Sequence, residues 1–491
     1  MNASRKVVVI GAGFSGLAAA CFLAKAGHKV TILEKNEMTG GRARTFSSNG
    51  FVYDMGPSWY WMPDIFERFF GAFGKKVSDY YHLTRLSPSY QVVFPGNESH
   101  NIPSDVGALC ALFDSIESGS GEKLRLFLKD AAYKYQKGIG DLVYMPGHSI
   151  WEFAKLSLLP DVLKLNLLSS FKKHAEKYFK DPRLLQLVEF PILFLGATAS
   201  DTPALYSLMN YADMQLGTWY PMGGMYKIVE GMTSLAKELG VHIQTHAEVK
   251  GFVFEGKKIS KVLSEKGEHA CDAVVASADY HHVDSVLLKG RSNYHEKYWN
   301  SRKLAPSSLL FYLGINKKIK GLLHHNLFFD ADFPAHAAQI YSRPQWPDHP
   351  LFYACAPSIT DSTVAPEGHE NLFLLIPVAP GLKDDAQLHE KYLQSLLERM
   401  EKQTGDTIKE HVVYSRTYSV SNFIQDYHSF KGNAYGLANT LPQTAFLKPA
   451  LRSKKVSNLV FAGQLTVPGP GVPPSLISGE LAAREVSFML S

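Results

Sequence analysis

Residues 6–34 read KVVVIGAGFSGLAAACFLAKAGHKVTILE. Lys6–Ile10 is short, rich in valine and apolar after its first residue, the composition of a parallel strand buried on both faces. The chain then turns through Gly11-Ala12-Gly13-Phe14-Ser15-Gly16 into a helical stretch that runs to Ala26 and stops at Gly27. A second strand over 28–33 ends at Glu34. Strand, glycine-rich turn, helix, strand and acid in this order make a dinucleotide-binding βαβ unit. Gly11 permits the tight turn, Gly13 lets backbone approach a pyrophosphate, and Gly16 lets helix and strand pack closely. The helix start at Phe14 and Ser15 offers free N–H groups and a partial positive charge to phosphate. Glu34, with Lys35 beside it, stands about 20 residues further on, where a carboxylate accepts from ribose hydroxyls.

The remaining composition narrows the class. The 491 residues hold about three domains' worth of chain, with 45% hydrophobic and 20% charged residues, so the chain folds around large cores. A net charge of +5 excludes a strongly basic nucleic-acid binder and leaves a mild attraction to anionic lipid. Cys21, Cys110, Cys271 and Cys355 are far apart and read as buried thiols in a reducing compartment. The basic, then apolar N-terminus imitates a signal peptide, but its glycines fall where the nucleotide turn needs them. No apolar run reaches the ~18 residues that cross a bilayer.

Further blocks carry a resemblance. Gly40-Gly41-Arg42 and Asp54-Met55-Gly56-Pro57-Ser58 follow the fingerprint. GAGFSG…LEK…GGRA is similar to the flavoprotein superfamily of amine oxidases, carotenoid desaturases and Rab-escort-like proteins. The resemblance implies tightly bound FAD, with Gly41 and Arg42 at its phosphates and Gly56, Pro57 and Ser58 near the flavin. A guanidinium suits phosphate because it offers forked donors. With one fingerprint only, no second nicotinamide domain is expected. Later, an amphipathic helix after Gly223-Gly224 leads into strands with a tight hairpin at Gly256-Lys257-Lys258. By the resemblance, the backbone of Val249 holds the adenine, and Ser277-Ala278-Asp279 returns the chain to the FAD domain.

The C-terminal block is the most specific. Gly463-Gln464 precedes Thr466-Val467-Pro468-Gly469-Pro470-Gly471-Val472-Pro473-Pro474, which opens a final helix. Glycines give backbone room to approach a ring system, and Pro474 suits a first helical turn. The resemblance puts Gly463, Gln464, Gly471, Val472 and Pro473 at the flavin, where a helix N-terminus favours negative charge. Gln464 replaces the acid that the family often carries there; its amide still bonds a ribityl hydroxyl. Together with 430–439 (FKGNAYGLAN), the order and spacing of these blocks resemble bacterial phytoene desaturases across nearly the whole chain.

The expected fold is α/β, a Rossmann-type FAD-binding domain (1–61, 221–290 and 445–491) interleaved with an α+β substrate domain (62–220 and 291–444). The latter carries a mixed sheet, with 306–314 and 372–378 as cavity floor, and a helical, membrane-contacting part. Phe66, Phe69, Phe70 and Phe73 recur at helical spacing, read as a core stripe or else as a lining for an apolar substrate or a membrane-dipping face. The greasy stretch 151–171, broken by Pro160 and followed by Lys172, Lys173 and His174, suits monotopic attachment, with a buried helical pair as the alternative.

The resemblance implies a desaturase that inserts conjugated double bonds into phytoene, towards lycopene, with hydride transfer to flavin. A hydroxycarotenoid desaturase or carotenoid isomerase shares the motifs, and a Rab-escort-like lipid carrier shares the fold. The expected partners are a long apolar carotenoid, a membrane surface on the cytoplasmic side, and quinone or oxygen as electron acceptor, without nucleic acid. Where the family places an Arg-Asp pair proposed as acid/base, this chain has Trp151-Glu152, which makes Glu152 the catalytic candidate beside the reading of a solvated glutamate. The adjacent pairs His281-His282 and His324-His325 lack the i,i+4 spacing of helical metal ligands, so no resident metal is expected. No GxSxG elbow or Walker loop occurs.

Overall fold

The computed structural model describes residues 4–140, 142–149, 152, 165 and 169–491. Its first layer is a five-stranded parallel sheet in the order Leu459–Phe461, Ala273–Ala276, Lys6–Ile10, Lys29–Leu33, His242–Gln244. The strands come from all three segments of the expected FAD-binding unit. The three strands Leu459–Phe461, Ala273–Ala276 and Lys6–Ile10 are apolar on both faces because both faces are covered, whereas the edge strand His242–Gln244 is polar and partly exposed. Val7, Val9 and Ile32 face helices, whereas Val8, Ile10 and Phe461 face a second apolar cluster with Val249, Ile259 and Trp299. Val249–Glu255 and Lys258–Ser264 form the expected hairpin, turning at Gly256 with φ +61.

On the helical face, Phe14–Lys25 lies against the C-terminal helix Val472–Leu490. Small residues make this approach close: a Cβ on Gly479 would stand 2.3 Å from the Ser15 carbonyl oxygen and 2.8 Å from Ala18 Cβ. The phenylalanine stripe belongs here too. Helix Pro63–Gly71 buries Phe66, Phe69 and Phe70, and Phe22 meets Phe69 and Phe73 at 6.0 and 5.0 Å. The stripe is core.

The second layer is a seven-stranded sheet in the order Val412–Tyr418, Ser307–Ile315, Glu370–Val378, Phe352–Cys355, His325–Phe328, Tyr90–Val93, Ser99–Ile102. All its joins are antiparallel except that between His325–Phe328 and Tyr90–Val93. Alternation along Ser307–Ile315 sends Leu309, Phe311 and Leu313 onto helix Ala386–Thr404, and Leu310 and Tyr312 to the opposite side. Strands 307–315 and 370–378 are thus buried on both sides, the second face being the floor expected from the sequence. Residue 151, residues 153–164 and residues 166–168, most of the stretch assigned to membrane attachment, lie outside the described residues; Leu165 and Phe171 at its end are buried. Among the described residues no helix is long and apolar enough to cross a membrane.

Candidate active site

One cavity of about 450 Å³ joins the two layers. Every cofactor residue expected from the sequence lines it except Gly16. Gly16 acts from beneath: a Cβ there would stand 2.0 Å from the Gly11 carbonyl oxygen, so only glycine lets the turn close on the helix. Gly13 differs, because a Cβ there meets nothing within 4 Å and would project into open space. Gly11 takes φ +93 and donates its N–H to Leu33 O at 2.8 Å, which fixes the turn beside the second strand.

At this end Glu34 is buried and accepts from Ala12 N at 2.7 Å and Asn36 N at 2.9 Å. Burial raises its carboxyl above the usual range while those N–H donors oppose the shift. Arg42 donates through Nη2 to Ser429 Oγ at 3.0 Å and to Asn433 O at 3.3 Å. Its Nε is buried without a hydrogen-bond partner among the described residues, a donor that an anionic oxygen would satisfy. Asp279 accepts from His282 N and Phe430 N, and burial raises its carboxyl against the pull of Arg42. Val249 opens its strand with its side chain buried. An orphaned guanidinium N–H, a glycine that leaves open space and a helix start together suit a dinucleotide diphosphate.

The C-terminal block supplies the facing wall. Gly463 at φ +109 donates to Ser478 Oγ at 2.9 Å, and Gln464 Nε2 donates to Asn433 Oδ1 at 3.2 Å. Gly471 at φ +112 caps the final helix, whose first turn carries Val472, Pro473 and Pro474 into the cavity. Two prolines leave Val472 as the one N–H donor of those three positions, so this helix end offers its dipole and little hydrogen bonding. Ser58, on the opposite wall, accepts from Tyr353 Oη at 2.9 Å.

Away from the glycines the cavity becomes a hydrocarbon surface. Leu310, Leu327, Phe373 and Leu375 from the seven-stranded sheet face Phe190 and Ile340. His336 in this wall is spent on the fold: Nε2 donates to Pro377 O at 2.8 Å and Nδ1 accepts from Leu351 N at 3.0 Å. Burial pushes its imidazole down to about 4, so it stays neutral. Among the described residues, the acids lining the cavity are Glu34, Glu248, Asp279 and Asp426, and none comes from the seven-stranded sheet. Glu152 is placed elsewhere. Its carboxylate accepts from Gly147 N at 2.9 Å and His148 N at 2.8 Å, and it is absent from the cavity lining.

Sequence reasoning missed Tyr353 and Ile340 in the apolar wall, whereas alternation in the two long strands signalled Leu310 and Phe373. The histidine pairs also part company. His281 meets Glu296 at 3.1 Å and His282 stacks on His428 at 4.0 Å. His324 and His325 instead gather with Cys355, their ligand atoms within 4.8 Å of one another.

The signature of the flavin-containing amine oxidoreductase family matches residues 14–487. The chain is 40% identical over 482 residues to a carotenoid 3,4-desaturase of Haloarcula japonica, covering 97% of each chain. It is 31% identical over 497 residues to a 4,4'-diapophytoene desaturase of Staphylococcus aureus, covering 98% of each. Among solved structures, a putrescine oxidase bound to putrescine superposes with a TM-score of 0.63 at 15% identity, covering 99% of both chains. An oxidoreductase from Methanosarcina mazei gives 0.63 at 17% identity, covering 97% of this chain and 99% of its own. The glycine turn, the orphaned arginine and the hydrocarbon wall agree with these likenesses: the chain belongs to the flavin-containing amine oxidoreductases, among the flavin carotenoid desaturases, and its cofactor is FAD.

Proposed function

We propose that this protein desaturates phytoene, inserting conjugated double bonds towards lycopene. The observation that carries the reading is the continuity of one cavity from a diphosphate cradle to an apolar wall that, among the described residues, holds no acid. A long hydrocarbon has no polar handle, so it is held by apolar area, at roughly 25 cal/mol per Å² removed from water. FAD, when bound, would take up the hydride equivalent as a C–C bond becomes a double bond, the accompanying proton passing to solvent. The residues proposed to hold it are Gly11, Gly13, Phe14, Ser15, Glu34, Lys35, Gly41 and Arg42 on the nucleotide side. Gly56, Pro57, Ser58, Val249, Asp279, Gly463, Gln464, Gly471, Val472 and Pro473 complete the set, with Gly16 fixing the turn. Leu310, Phe373 and Leu375 align the chain of the substrate and exclude water.

The 40% identity to a carotenoid 3,4-desaturase supports a second reading, in which an already coloured carotenoid is desaturated at its end. We further propose contact with the cytoplasmic face of the membrane through 151–171, since a lipid-dissolved substrate must be collected there. Quinone or oxygen would then reoxidise the cofactor. The test is incubation of the FAD-loaded protein with phytoene-loaded liposomes, aerobically and with added quinone, followed by chromatography of the extracted pigments. New long-wavelength bands support the proposal. Conversion of a coloured carotenoid but not of phytoene supports the second reading, and a protein that purifies and remains without flavin would favour a lipid carrier.

A further inference from the structure

His324, His325 and Cys355 are all buried, and neither histidine Nε2 has a hydrogen-bond partner among the described residues. Two orphaned ring nitrogens in one dry cluster are costly and ask for a ligand. The other nitrogen of each ring is engaged: His324 Nδ1 with Thr360 Oγ1 at 2.8 Å, His325 Nδ1 with Tyr353 Oη at 2.6 Å. Tyr353 Oη itself donates to Ser58 Oγ, so His325 Nδ1–H is the donor to Tyr353 and Nε2 carries a bare lone pair. Metal-ligating imidazoles are oriented in this manner, by a polar group on the far nitrogen.

The scaffold is stiff. His325 and Cys355 are direct cross-strand partners, and Ala356 N donates to His324 O at 2.8 Å, which ties the third ligand to the same ladder. Sequence reasoning had tested helical spacing; here the ligands come from neighbouring strands. A void of about 20 Å³ touches His324 and Cys355, room for one water as a fourth ligand. Asp54 lines the same void. A Cys355 thiolate and the Asp54 carboxylate would together balance a 2+ charge in an otherwise apolar site.

We propose that His324, His325 and Cys355 bind one zinc ion, with a water in the fourth position, as a clamp behind the cavity floor. Binding releases the Cys355 thiol proton to solvent and forms two Zn–N bonds and one Zn–S bond, without redox change. The reading does not depend on which carotenoid is the substrate.

The test loads the FAD-bound protein with zinc sulfate, desalts it, and measures metal by mass spectrometry and ligands by X-ray absorption at the zinc edge. The expected result is about one zinc per chain with a sulfur ligand. Cys355→Ala and His324→Ala should each lower retained zinc at least about tenfold while FAD content and circular dichroism stay at wild-type levels. Wild-type protein that retains less than about a tenth of an equivalent overturns the proposal whatever the variants do. So does zinc retained equally by wild type and both variants, or bound zinc without sulfur.

Discussion

Gly13 and Gly16 stand three residues apart in one turn, yet the structure assigns them opposite costs. At Gly13 the backbone has φ −73 and ψ −179, which alanine adopts freely, and a Cβ touches nothing within 4 Å. Gly13→Ala should therefore leave the FAD-free protein within about 0.5 kcal/mol of wild type, since the new methyl creates no clash. That methyl occupies the cavity where a diphosphate must approach. If it displaces two charge-assisted N–H bonds, each worth about 1.5–3 kcal/mol, FAD binding weakens by about 3–6 kcal/mol, or 10²- to 10⁴-fold. At Gly16 the Cβ would stand 2.0 Å from Gly11 O and 3.1 Å from Ser277 Oγ. The helix start must retreat by more than about 1 Å, an overpacking cost of about 1–3 kcal/mol in the FAD-free protein. Urea unfolding of both apoproteins and titration of FAD by fluorescence quenching measure the two effects. Wild-type FAD affinity in Gly13→Ala, or wild-type apoprotein stability in Gly16→Ala, would refute this reading of the turn.

Four further outcomes are expected. Arg42→Met removes the guanidinium, whose buried Nε has no hydrogen-bond partner among the described residues, and FAD dissociation constants from the same titration should rise about 10- to 100-fold. Ile340→Trp fills the hydrocarbon end, so turnover measured by pigment chromatography should fall at least about tenfold at unchanged FAD content. Lys448 is buried with no partner for Nζ among the described residues, and burial pushes its ammonium down to about 7. The unfolded chain then binds more protons between about pH 7 and 10.5, so wild-type stability rises across that window by up to about 5 kcal/mol. Lys448→Met should be more stable at about pH 7.5 and lose that slope, read by urea unfolding at several pH values. Glu152→Gln should keep turnover within about twofold, because its carboxylate caps the Gly147 and His148 N–H groups outside the cavity lining.

The nucleotide end was legible because its information is local. Gly11, Gly13 and Gly16 sit within one turn and Glu34 ends the next strand, so spacing marked them, while for the short segment Gly463 to Pro473 the family resemblance implied the role. The phenylalanine stripe was half legible: helical spacing announced one face of Pro63–Gly71, but only the packing of Phe22 against it showed that the face is core. The hydrocarbon wall was hidden because it is assembled by non-local strand pairing. Leu310 meets Leu375 across a sheet, and Ile340 reaches them from a separate helix. Cys355 joined His325 for the same reason, through strand register that no local motif encodes. Glu152 was named by alignment alone, and local pattern could not announce that its carboxylate accepts from the Gly147 and His148 N–H groups.

The central claim, that FAD in this cavity oxidises a carotenoid, is tested most directly by an anaerobic single turnover. FAD-loaded protein is mixed without oxygen or quinone with carotenoid-loaded liposomes, and the oxidised-flavin band is followed alongside the extracted pigments. The account predicts that the band is lost in step with product, with about one new double bond per FAD, because each double bond releases two electrons. Product formed while the flavin stays oxidised, or flavin loss with the carotenoid unchanged, would contradict it.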